Sequence, residues 1–162
     1  MSQDLFSLSQ TPIVVVCSGV KSFLDVEKTI EALETYGVTT VGYKTDFFPL
    51  FYSSNSKHKL QYSFKHTSCL ASLYKNNIQN NLKSSILVLN PVPKDKEIPE
   101  KKIKNIISNA IKKMNKKGIV GKNTTPFLLN EIASKTNNES LTTNIELALS
   151  NIRVGAKIVK KL

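Results

Sequence analysis

Apolar residues fall along this chain in two rhythms. Unbroken runs occur at Pro12-Ile13-Val14-Val15-Val16-Cys17, Val38-Thr39-Thr40-Val41-Gly42-Tyr43 and Ser85-Ile86-Leu87-Val88-Leu89, the first stopping at Ser18-Gly19 and the third at Asn90-Pro91. Short runs of this kind, rich in β-branched residues and closed by turn signals, predict strands buried on both faces of a parallel sheet. Elsewhere the spacing is helical. Val26, Ile30 and Leu33 share a face, Glu27, Glu31 and Glu34 face away, and Gly37 stands where a left-handed cap ends a helix. Cys69, Leu70, Leu73, Tyr74 and Ile78 predict a second helix, and Ile103, Ile106, Ile107, Ala110 and Met114 a surface helix between Pro99 and Gly118 with a lysine-rich outer side. Thr125 before Pro126 predicts a helix start, and Ser140 the cap of a last helix bearing Leu141, Ile145, Leu149 and Ile152; both should pack on the sheet. Residues 44–65 have no clean period and predict a loop with some extended structure. The fold class is therefore α/β, a mostly parallel sheet flanked by helices and joined by right-handed crossovers.

Length and composition change this picture little. A chain of 162 residues suits one domain and buries roughly 70% of its unfolded surface. Cys17 in a strand and Cys69 on a helical face lack metal-ligand spacing, so reduced, buried thiols and no disulfide are expected. The amino terminus has no basic region leading into an apolar core, and no window approaches 18 uninterrupted apolar residues. A soluble, cytoplasmic protein without a membrane partner is expected. Lys160-Lys161-Leu162 departs from the peroxisomal Ser-Lys-Leu signal at its first position, which leaves a peroxisomal or mitochondrial address open. Lys94 to Lys102 is charged enough to be mobile.

The charge of +11 invites a nucleic-acid reading. The detail argues against it, because of 23 basic residues only Arg153 is an arginine, the side chain whose fork best suits phosphate and guanine. Asparagine pairs such as Asn76-Asn77, Asn80-Asn81 and Asn137-Asn138 point to a general drift toward lysine and asparagine. A solvated lysine coat follows, with weak, salt-sensitive binding to polyanions and no specific nucleic-acid partner.

Candidate chemistry begins at Lys21, two residues past Gly19. Ligands of open α/β sheets collect beyond the carboxyl ends of the strands. A lysine amine tucked under a sheet edge is desolvated and can attack a carbonyl.

Pro12-Ile13-Val14-Val15-Val16-Cys17-Ser18-Gly19-Val20-Lys21-Ser22-Phe23-Leu24-Asp25 resembles the segment that carries the Schiff-base lysine of the pseudouridine-5'-phosphate glycosidases, the indigoidine synthase A-like family. Further blocks resemble the family in order: Leu33-Glu34-Thr35-Tyr36-Gly37-Val38, Gly42-Tyr43-Lys44-Thr45-Asp46 with Phe48-Pro49-Leu50-Phe51, Asn90-Pro91-Val92-Pro93, Gly118 to Leu129, and Ser140 to Ile145. The resemblance spans the whole chain but only the C-terminal half of the family's usual length. Residues 1–162 are thus expected to form a single partial domain, about half of a pseudouridine-5'-phosphate glycosidase-type α/β/α fold.

The resemblance implies reversible cleavage of pseudouridine 5'-phosphate to uracil and ribose 5-phosphate, with Lys21 forming the imine. It implies substrate contacts at Ser2-Gln3-Asp4 and at Asn144, together with manganese and a homotrimer. On the residues alone, Ser2 and Asp4 equally suit a cap for the short Leu5-Phe6-Ser7-Leu8 turn, Asn144 a buried structural donor, and Lys122 either an anion contact or a helix-approach lysine. The family's general-acid glutamate, phosphate-binding lysine and manganese-binding aspartate are expected upstream of Met1, so this chain alone is expected to be inactive and to lack the metal. A truncated, non-catalytic structural module and a basic nucleic-acid-binding domain are the competing readings. Asn137-Asn138 stands where the family usually has Gly-Gly, which asparagine can replace by taking the left-handed conformation.

Overall fold

The computed structural model describes residues 3–54 and 56–162. Four strands, β1 (Val14–Cys17), β2 (Thr39–Tyr43), β3 (Ser63–Phe64) and β4 (Ile86–Leu89), form one parallel sheet in the order β1-β4-β2-β3. Ile86 lies opposite both Val14 and Thr39, so β4 is inserted between two strands that precede it in the chain. All four of its residues are buried, which explains why that run shows no polar alternation.

Each face of the sheet carries helices. Val14, Val16, Val41, Tyr43, Ile86 and Val88 pack against α3 (Thr67–Gln79), through Leu70 and Ala71, and α6 (Glu139–Val159), through Val154 and Ile158. On the opposite face Val15, Cys17, Leu87 and Leu89 meet α1 (Gln3–Gln10), through Leu5 and Leu8, and α2 (Val26–Thr35), through Ile30 and Leu33. Asp25 caps α2 by accepting from the backbone N–H of Lys28 at 3.1 Å, and Gly37 ends it at φ +64°. A separate apolar cluster joins α4 (Glu100–Lys116) and α5 (Thr124–Lys135), where Ile103, Ile107, Leu128 and Ile132 surround the buried Tyr52 and Ile98.

Several expectations need correction. α5 starts at Thr124, which puts Pro126 inside its first turn, and it packs on α4 rather than on the sheet. Ser140 lies within α6 and does not cap it; Asn138 takes that position, while the hydroxyl of Thr136 accepts from the Ser140 backbone N–H at 3.2 Å. Leu141, Ile145, Leu149 and Ile152 do not face the sheet. They are exposed, because α6 turns its Leu147, Val154 and Ile158 inward. Cys69 is exposed as well, since α3 rolls its Leu70–Ala71 flank onto the sheet. The Leu5–Leu8 turn is part of an eight-residue helix, and Lys94 to Lys102 forms a short 3-10 turn (Lys94–Lys96) leading into α4 past the buried Ile98. Asn137 and Asn138 do take the left-handed conformation, at φ +47° and +64°.

Candidate active site

The turn that carries Lys21 is clamped between two strand ends. β1 stops at Cys17, and Gly19 then adopts φ +79° so close to the loop after β2 that a Cβ there would lie 1.8 Å from the Pro49 carbonyl oxygen. Three further contacts staple loop to turn. Gly19 bridges Leu50, the Phe51 N–H donates to the Ser18 carbonyl at 3.1 Å, and the Ser22 hydroxyl donates to the Leu50 carbonyl at 2.5 Å. The Leu24 N–H closes the turn onto the Lys21 carbonyl at 2.8 Å. Phe51 is itself left-handed at φ +66°, a costly conformation for an aromatic residue that the surrounding contacts hold in place.

Lys21 is half-buried in the wall of an open cleft of about 840 Å³ on the α1–α2 face of the sheet. Asp4, Asp25 and Lys28 lie in the same wall, over an apolar floor that includes Leu8, Val15 and Leu87. Among the described residues no carboxylate lies within ion-pair distance of the Lys21 amine. Asp25 is committed locally: the Lys28 backbone N–H, reinforced by the Lys28 amine at 3.3 Å, holds its carboxyl below the ordinary carboxylate range. Burial pushes the neighbouring Cys17 thiol up to about 11, partly offset by the Gly19 backbone N–H.

The other expected site residues are dispersed. Gln3 is exposed at the start of α1 and does not line the cleft, whereas Asp4 does. Ser2 lies outside the described residues. Asn144 is half-buried on α6 and away from the cleft, next to Thr143, whose hydroxyl donates to the Lys96 carbonyl at 2.9 Å. Lys122 is exposed in a 3-10 turn (Gly121–Asn123). Among the described residues no group of three or more His, Cys, Asp or Glu side chains converges.

A polar cluster closes the carboxyl ends of the two adjacent strands β1 and β4. The Asn90 amide donates to Ser150 Oγ at 3.0 Å and to Asn151 Oδ1 at 2.9 Å, and the Asn151 amide donates to Ser18 Oγ at 3.2 Å. It ties α6 to both strands immediately behind the Lys21 turn. Neither Ser150 nor Asn151 stands out in the sequence, because polar residues on a helix ordinarily face solvent. Asp25 and Lys28 were equally inconspicuous as cleft residues; the Asp three positions before Lys on a helix start was their one signal.

The sequence matches the family described as indigoidine synthase A like protein over residues 1–161. The chain belongs to that family. It is 42% identical to the pseudouridine-5'-phosphate glycosidase of Alkaliphilus metalliredigens and 38% identical to that of Kosmotoga olearia, in each case over all of this chain and over 53% and 56% of the relative. Among solved structures, an indigoidine synthase A-like protein of Thermotoga maritima superposes with a TM-score of 0.87 at 34% identity, over 98% of this chain and 52% of that one. The prealnumycin C-glycosynthase in complex with ribulose 5-phosphate gives 0.90 at 27% identity, over 99% and 53%. This indigoidine synthase A-like chain thus spans about half the length of the curated relatives it matches. Among its described residues no helix is long and apolar enough to cross a membrane.

Proposed function

We propose that the chain carries the amine-bearing half of a site that reversibly cleaves the carbon–carbon glycosidic bond of pseudouridine 5'-phosphate. The observation that supports this reading is that Lys21 sits in a clamped turn past the carboxyl end of β1, lining the same cleft as Asp4, with no carboxylate among the described residues pairing its amine. The relatives named pseudouridine-5'-phosphate glycosidase and the ribulose 5-phosphate bound by the C-glycosynthase support a phosphorylated sugar as substrate.

A carbon–carbon bond offers no leaving-group oxygen to protonate, so the paired-carboxylate route of ordinary glycosidases gains little here. An imine supplies the alternative. In the synthetic direction the Lys21 amine adds to the aldehyde carbon C1' of open-chain ribose 5-phosphate, water leaves, and uracil C5 attacks the resulting iminium carbon while losing its proton. The O4' hydroxyl then displaces the Lys21 amine from C1', closing the ring and giving up its proton to the amine. In the cleavage direction the Lys21 amine adds to C1' as the C1'–O4' bond breaks and O4' takes up a proton. The electron pair of the C1'–C5 bond then departs with uracil, which takes up a proton, and leaves the iminium. Water then hydrolyses the iminium to ribose 5-phosphate and returns the free amine. In this reading Asp4, on the cleft wall, contacts a sugar hydroxyl.

The chain alone supplies the amine and not the remaining groups that the family resemblance calls for, so negligible turnover is expected of the 162 residues by themselves. Trimeric assembly belongs to the same expectation. Borohydride trapping of ribose 5-phosphate tests the narrower step. A reduced adduct of one pentose phosphate on the peptide containing Lys21 is expected, and its loss in Lys21→Ala with unchanged far-UV circular dichroism. An equal adduct in the variant overturns the assignment, and no adduct above background in either protein favours a non-catalytic module.

A further inference from the structure

The loop after β2 grips the Lys21 turn on one side and is itself held on the other. On the turn side Gly19 bridges Leu50, the Ser22 hydroxyl donates to the Leu50 carbonyl, and the Phe51 N–H donates to the Ser18 carbonyl. Within the loop the Tyr52 N–H donates to the Leu50 carbonyl at 2.8 Å and the Leu50 N–H to the Ser53 carbonyl at 2.9 Å. These two bonds close residues 50–53 into a tight turn, so that a displacement of Ser53 carries Leu50 with it. Phe51 stands in the left-handed region within that turn, and a backbone so strained persists only where groups outside it hold it.

Two adjacent residues from the segment that leads into α4 supply the outside hold. The Ile98 N–H donates to the Tyr52 carbonyl at 2.9 Å, and both side chains are buried together in the α4–α5 cluster. Beside it, one oxygen of the half-buried Glu97 carboxylate collects three donors: the Ser54 N–H at 2.5 Å, the Ser54 hydroxyl at 2.8 Å and the Ser53 hydroxyl at 3.2 Å. Hydrogen bonds to an ionised acceptor are roughly twice as strong as those between neutral groups. The neighbouring Lys96 pairs with Asp95 at 3.5 Å, and among the described residues no ion pair involves Glu97. Its charge is thus directed at the loop.

We propose that Glu97 is a positioning residue for Lys21: its carboxylate fixes Ser53 and Ser54, and through Leu50 and Phe51 it fixes the turn from Ser18 to Ser22 that carries the amine in the cleft wall. The inference rests on the reading of Lys21 as the imine-forming amine. Glu97 does not line the cleft, so its effect on chemistry runs through the loop and not through contact with the sugar. A residue of that kind changes how fast the amine attacks and leaves the affinity of the cleft for its ligand nearly as it was.

Borohydride trapping of ribose 5-phosphate on the full 162-residue chain tests it, followed as a rate over a range of sugar concentrations and paired with hydrogen exchange of the Phe51 amide. Glu97→Ala keeps the bond between Ile98 and Tyr52. It should lower the maximum trapping rate about tenfold, leave the half-saturating sugar concentration within about twofold, and speed exchange at Phe51 about tenfold. Glu97→Gln retains an oxygen that can accept from all three donors and should restore most of the rate. Ser54→Ala removes one hydroxyl donor, should fall between the parent and Glu97→Ala, and carries the same comparison if Glu97→Ala does not fold. Asp95→Ala, at an exposed position paired with Lys96, should match the parent. A parent chain that traps the sugar no faster than Glu97→Ala overturns this inference and leaves the Lys21 reading standing. So does a loss of rate that only follows the unfolded fraction in urea denaturation, or one that Glu97→Gln does not recover. Absence of an adduct on the parent chain overturns the Lys21 reading and this inference with it.

Discussion

The α-carbon of Gly19 lies against the carbonyl oxygen of Pro49 so closely that a methyl group there would sit at 1.8 Å, well inside any allowed contact. The contact is between backbone and backbone, so no side-chain rotation can relieve it, and φ +79° adds the left-handed penalty. Gly19→Ala should therefore push the Pro49–Phe51 loop off the Lys21 turn. A loss of about 3 kcal/mol in urea denaturation is expected. Borohydride trapping at Lys21 should fall with it under conditions where the variant is still folded. A stable variant with unchanged trapping would show that the clamp does not position the lysine.

Asn90 supplies a second test of how the site is held. Its buried amide bridges Ser150 and Asn151, and Asn151 in turn reaches Ser18 at the end of β1. Asn90→Ala removes both donations to the half-buried Ser150 and Asn151, at a cost of about 1 kcal/mol. A double-mutant cycle with Asn151→Ala checks it: if the two act through one network, the double variant loses less than the two single losses added together.

How legible these features are in the sequence depends on what each requires. β4 and the stop of β1 at Ser18-Gly19 can be read because a strand buried on both faces allows only apolar residues and ends only at a turn. Gly37 and the left-handed Asn137 and Asn138 are readable for a similar reason, since few residues accept a positive φ. α6 is different. Its sequence holds two apolar faces, one through Leu147, Val154 and Ile158 and one through Leu141, Ile145, Leu149 and Ile152, and periodicity cannot say which meets the sheet. Cys69 was misplaced for the same reason, as a helix may roll one flank inward. The Asn90–Asn151–Ser18 cluster lies beyond any local pattern, because its members are brought together from sequence separations of 61 and 133 residues.

Asn138 joins the end of α5 to the start of α6: its N–H donates to the Ala133 carbonyl at 2.8 Å, and its own carbonyl accepts from Leu141 and Thr142. The left-handed backbone at φ +64° sets the angle between the two helices. Asn138→Gly should hold or raise stability, Asn138→Ala lower it, and Asn138→Val lower it most, by about 1–2 kcal/mol. Thermal melts of the series check the order. A β-branched residue as stable as glycine would mean that the turn can adopt another conformation.

The two cysteines should separate cleanly by chemistry. Burial holds the Cys17 thiol at about 11, so at pH 8 only about one molecule in a thousand carries the thiolate there, while Cys69 is exposed on α3. Iodoacetamide at pH 8 should label Cys69 first and Cys17 about tenfold or more slowly, as followed by peptide mass mapping, with the difference abolished in denaturant. The same shift has a consequence for folding. Below the ordinary value of 9.0 both folded and unfolded states keep the Cys17 proton and stability is unaffected. Between 9.0 and about 11 the unfolded chain loses that proton first, so stability declines as pH rises through this window. Cys17→Ala should flatten that decline relative to the parent chain, and an unchanged slope would mean that the thiol ionises as readily in the folded state as in the unfolded one.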